Sequence, residues 1–94
     1  MTQPREPRLL PWSGPDGKPC YLITDGDGGP VSRLADTTES TQLGMGAELL
    51  AHAHDLLPRA PHSELRYLAE LLTEALADAL RVAESRGRRL NGLN

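Results

Sequence analysis

The sequence predicts an α+β domain: a small N-terminal β-meander of two to three short antiparallel strands, followed by a two-helix antiparallel hairpin. Three observations carry this. Residues 8–35 are short apolar runs cut by turn residues ("RLLPWS", "GPDGK", "PCYLIT", "DGDGG", "PVSRLA"), residues 37–86 carry a 3.6-residue apolar period, and the break "PRAPHS" divides that periodic region in two. With no Phe, one Trp and two Tyr among 94 residues, the core must come from Leu, Ala, Val, Ile and Met, which favours helices.

Residues 1–7 are polar and hold two prolines, and they read as a disordered tail; residues 91–94 read as a flexible C-terminal one. Residues 8–90 form a single α+β domain. In "GPDG", Pro15 presets φ at the second place of a type I turn, with Asp16 and Gly17 next, so a hairpin joins the first two strands. Pro11 has no N–H for the ladder and requires its strand to be an edge or irregular. The stretch "TDGDGGPVSR" fails as an EF-hand loop: from Asp25, the fifth place is Gly29, the sixth Pro30 and the twelfth Asp36. It reads instead as a second tight turn at Asp27-Gly28, setting Thr24 opposite Val31, with the buried face of the sheet left open.

Helix one is predicted over about 37–57, with Asp36 and Glu39 spaced close to a capping box and Pro58 behind it. Gly44 and Gly46 either break it or let another backbone approach. Helix two is predicted over about 62–86, with Gly87 after its end. At 100° per residue, Leu68, Leu71, Leu72, Ala75, Ala79 and Val82 belong to an apolar arc sweeping about half of helix two, where packing on one surface needs little more than ~100°. Met45, Leu49 and Leu56 belong to an equally wide arc of helix one, together with Gly46, Ala47 and Leu50. Some fifteen residues of sheet cannot cover a helix of roughly 37 Å, so these nine residues are the candidate interface, for a second copy of the chain or for another protein; the alternative is that sheet and N-terminal arm cover the whole strip.

Other chemistry is poorly supported. His52 and His54 lie about 200° apart on a helix and cannot share an ion; with Asp55 and His62 they read as helix-end residues, and no metal or other cofactor is predicted. The lone Cys20 permits no internal disulfide and has no basic neighbour in sequence, no nucleophile–base spacing occurs, and no catalytic residue is assigned. A formal charge of −3, with basic residues clustered only at Arg86, Arg88 and Arg89, argues against nucleic acid. No apolar run reaches the ~20 residues of a membrane span, so a cytoplasmic protein with no membrane partner is expected.

The run "GKPCYLITDGDGGPVSRLADTTESTQLGMGAELLAHA" is similar to small uncharacterised actinobacterial proteins, a resemblance that brings no function. Asp27-Gly28-Gly29 and Asp36-Thr37-Thr38-Glu39 resemble the strand–glycine–strand hairpin and helix start of HicB-type antitoxins, although the extra strand and glycine turn of those proteins and a DNA-binding segment are missing. The expectation is a non-enzymatic interaction or regulatory module that forms a homodimer, or binds another protein, through its leucine-rich helix faces; the antitoxin resemblance implies, as the alternative, neutralisation of a small basic toxin.

Overall fold

The computed structural model describes residues 7–23 and 28–91 and has the order β1 (Arg8–Ser13), β2 (Pro19–Leu22), α1 (Pro30–Leu56) and α2 (His62–Asn91). A two-stranded antiparallel sheet is thus followed by a helical pair, the predicted α+β arrangement. The molecule is elongated, 61 × 27 × 22 Å.

The β-hairpin turns where the sequence places it. Gly17 N–H donates to the Gly14 carbonyl at 3.0 Å and Gly14 N–H to the Lys18 carbonyl at 2.9 Å, with Gly17 at φ +78°. This is a type I turn closed by a left-handed residue, a conformation that a side chain at Gly17 would strain. Arg8 pairs with Leu22, Leu9 with Tyr21 and Ser13 with Pro19, and the register shifts between Leu9 and Ser13. Pro11 sits inside that irregularity, as a residue without an N–H must. Its free carbonyl turns to the helices, accepting from Gln42 Nε2 of α1 at 2.8 Å and Arg81 Nη1 of α2 at 3.3 Å. A second tie runs from Ser85 Oγ to the Leu9 carbonyl at 2.9 Å. With Leu9, Leu10 and Pro11 buried, β1 lies across the seam between the two helices at their open end.

Several sequence expectations are corrected. No third strand forms at 31–35: α1 begins at Pro30, with Gly29 as its N-cap. Val31, Leu34 and Ala35 fit a helical period as well as a strand, and proline at the first helical position is pre-set for the helix. The turn expected at Asp27-Gly28 falls largely outside the described residues, and Val31, expected on its second strand, is helical. Asp36 and Glu39 therefore lie inside α1 rather than capping it. Of the expected tails, residues 1–6 and 92–94 are outside the described residues, and Asn91 ends α2.

Gly44 and Gly46 do not break α1, and Gly87 does not end α2. Beyond Gly87 the helix is held by side chains: Arg88 reaches Glu84 at 3.1 Å and its guanidinium lies 5.6 Å from the Tyr21 ring centre, while Arg89 reaches Ser85 Oγ at 2.6 Å. A Cβ built at Gly44 meets nothing within 4 Å. Gly44→Ala is therefore expected to stabilise the fold by about 1 kcal/mol, since only the propensity term changes, and to raise Tm by about 4–8 °C. Thermal unfolding by circular dichroism measures it.

Candidate functional site

Two features stand out on this frame, a buried ionic cluster at the open end and, along the middle, an apolar groove left uncovered among the described residues. The cluster centres on Glu39, 1% exposed in α1. Arg8 Nη2 approaches Glu39 Oε2 at 3.3 Å and Asp36 Oδ1 at 2.6 Å, and its Nη1 donates to the Ser32 carbonyl at 3.2 Å. From α2, Arg89 Nη2 lies 3.3 Å and Arg86 Nε 3.7 Å from Glu39 Oε1. One carboxylate thus ties β1, α1 and α2 together. The buried stripe of α1 here is Ser32, Ala35 and Glu39, small or polar where an ordinary helix face is apolar, because it receives the arginines. Arg8 Nε is enclosed with no partner among the described residues, so the arginine is already short of acceptors. This chemistry is that of a clasp, in which each carboxylate of the cluster is met by an arginine of the same chain.

The groove begins where β1 ends. Gln42, whose amide holds the Pro11 carbonyl, stands at its head, and its Oε1 is enclosed without a donor among the described residues. From there Leu43, Gly46, Ala47 and Leu50 of α1 face Leu72, Ala75, Leu76 and Ala79 of α2 across an open trough of about 390 Å³. The small residues let the trough sink between the helices; Leu50 and Leu76, 55% and 60% exposed, stand at its edges. Leu80, one turn from Leu76, and Met45 are 61% and 65% exposed. Burying such side chains is worth about 1.5–3 kcal/mol each, so leaving them in water forgoes that stabilisation.

The nine candidate interface residues divide. Leu68 and Val82 are enclosed by the chain itself, at 7% and 2% exposure, and belong to the core. Leu72, Ala75 and Ala79 line the groove, Leu49, Leu56 and Leu71 are half-buried along the helices, and Met45 is open to solvent. Leu50, Leu76 and Leu80 are among the exposed leucines that the candidate set omits. They lie on the same apolar arcs, and a wheel does not tell which part of a wide arc the neighbouring helix takes.

His52, His54 and Asp55 are exposed near the end of α1, and His62 opens α2. Among the described residues no group of three His, Cys, Asp or Glu side chains is placed to hold a metal ion. No helix among the described residues is long and apolar enough to cross a membrane. Compared with family models, with curated proteins and with solved structures, the chain matches none.

Proposed function

We propose that this protein is a non-enzymatic interaction module whose docking surface is the apolar groove between α1 and α2. The observation that carries the reading is the groove itself: β1 occupies one end of the inter-helix seam, and the seam continues uncovered past it, edged by Leu50 and Leu76. A hairpin of this length covers only the open end of helices of 27 and 30 residues, so the fold leaves apolar surface for a second polypeptide. Helix-in-groove docking suits such a trough: leucines at the edges anchor, and alanine and glycine on the floor allow close approach.

Leu50→Asp tests it, because Leu50 is exposed and a charge there leaves the intramolecular core intact. Binding is measured twice, as self-association of the purified chain and as capture of proteins from its native extract, with wild type and variant side by side. The variant is expected to lose whichever binding the wild type shows while keeping its helical signal and Tm. Binding that is the same in both, or absent from the wild type, overturns the reading.

A further inference from the structure

The groove is at once a hole and a pair of knobs, and the charge along the molecule is polarised. Toward the loop joining the helices, Asp55, Glu64 and Glu70 outweigh Arg59 and Arg66 by one charge, and Glu48, Glu74 and Asp78 lie alongside the groove itself. Toward the open end the balance reverses among the described residues: Arg81, Arg86, Arg88 and Arg89 of α2, with Arg8 and Arg33, outweigh Asp36, Glu39 and Glu84. The groove lies between these ends, spanning Gln42 to Leu50 on α1 and Leu72 to Ala79 on α2.

We infer that the occupant of the groove is a second copy of this chain, packed antiparallel about a twofold axis through the groove; this rests on the docking reading above. Self-complementarity supplies the fit. Under a twofold operation each Leu76 meets the neighbouring trough floored by Gly46 and Ala75, and a Cβ built on Gly46 meets nothing within 4 Å, which leaves room for it. Charge selects the direction. Parallel copies set acidic loop end against acidic loop end, whereas antiparallel copies set each acidic loop end beside a basic open end, which favours the antiparallel pair and makes it weaken with added salt. The β-hairpin seated at the head of the groove stops the partner's loop end and so limits how far the two copies slide.

Distances between spin labels separate the arrangements. With Cys20→Ser removing the native thiol and Arg59→Cys labelled at the loop, the label stands thirteen residues from Gly46, about 20 Å along the helix, so the two labels of an antiparallel dimer lie roughly 40 Å apart. A mixture of chains labelled at Arg59→Cys and at Arg33→Cys is expected to show a shorter separation between the two kinds of label. Gly46→Leu, which fills the trough, is expected to raise the dimer dissociation constant at least tenfold without lowering the helical signal, and raising salt is expected to raise it in the wild type. Loop labels close together, or a dimer tightened by salt, overturn the antiparallel arrangement. A chain that stays monomeric while groove-dependent capture of another protein persists overturns the second-copy inference and leaves the docking reading standing. Dimers indifferent to both Gly46→Leu and Leu50→Asp overturn the two together.

Discussion

Glu39→Ala is expected to destabilise the fold by about 3–5 kcal/mol, the cost of leaving a buried ion without its counter-charge. The carboxylate is 2% exposed and the Arg8 side chain 10%, so neither rearranges into water without opening the seam. Arg86 and Arg89 reach the same carboxylate from α2, at 49% and 36% exposure, and recover solvation more readily than Arg8 does. The loss compares with a total of about 5–15 kcal/mol for a typical domain, and it is read as a lower urea midpoint at fixed protein concentration. Replacing the pair with apolar residues, Arg8→Met with Glu39→Leu, is expected to recover much of it, since a buried ion pair stabilises little beyond its own desolvation. If Glu39→Ala unfolds at the wild-type midpoint, the clasp does not hold the open end together.

Leu9→Ala is expected to cost about 2–5 kcal/mol, the usual range for emptying a buried leucine site. Leu9 is 3% exposed and belongs to a small apolar core that includes Leu10, Ala35, Ala53, Leu68 and Val82. Its side chain helps seat β1 against the helices, and its carbonyl accepts the Ser85 hydroxyl. Trp12 is the only tryptophan and lies on the same strand, so its emission reports whether β1 stays seated. The expected result is a red-shifted Trp12 spectrum at temperatures where the wild type is still folded. An unshifted spectrum and an unchanged Tm would mean that β1 is held by its polar ties alone.

What was legible in the sequence was mostly local. Pro15, Asp16 and Gly17 specify their turn within four residues, Pro11 forbids a regular ladder at its own position, and "PRAPHS" separates two stretches of helical period. The start of α1 was harder to see: Val31, Leu34 and Ala35 satisfy both a short strand and a helical turn, and the helix is decided by Pro30 and by the contacts of Ser32 and Glu39. Those contacts join residues 24 and 31 positions apart, and Arg89 meets Glu39 across 50. No local period encodes such pairs, so Glu39 reads from sequence as a capping residue and becomes in three dimensions the centre of a clasp.

The groove was half legible. The width of the apolar arcs says that each helix meets more than one surface, and the shortness of the sheet says that part of one surface stays open. Which residues stay open depends on the rotation of each helix about its axis. That rotation sends Leu68 and Val82 inward and leaves Leu50, Leu76 and Leu80 at the rim. It is fixed by where the clasp and the carbonyls of Pro11 and Leu9 grip the helices, the first through Gln42 and Arg81 and the second through Ser85. The polar ties at one end thus determine which leucines are displayed in the middle.

Light scattering behind size exclusion, on the wild-type chain and on Leu76→Asp, tests the groove most directly. The wild type at micromolar concentration is expected to run at twice the 10.2 kDa mass of one chain, and the variant at that mass with its helical signal unchanged. A wild type that stays at the mass of one chain up to hundreds of micromolar, or a variant whose dimer is as tight as the wild type's, would contradict the occupancy of the groove by a second copy.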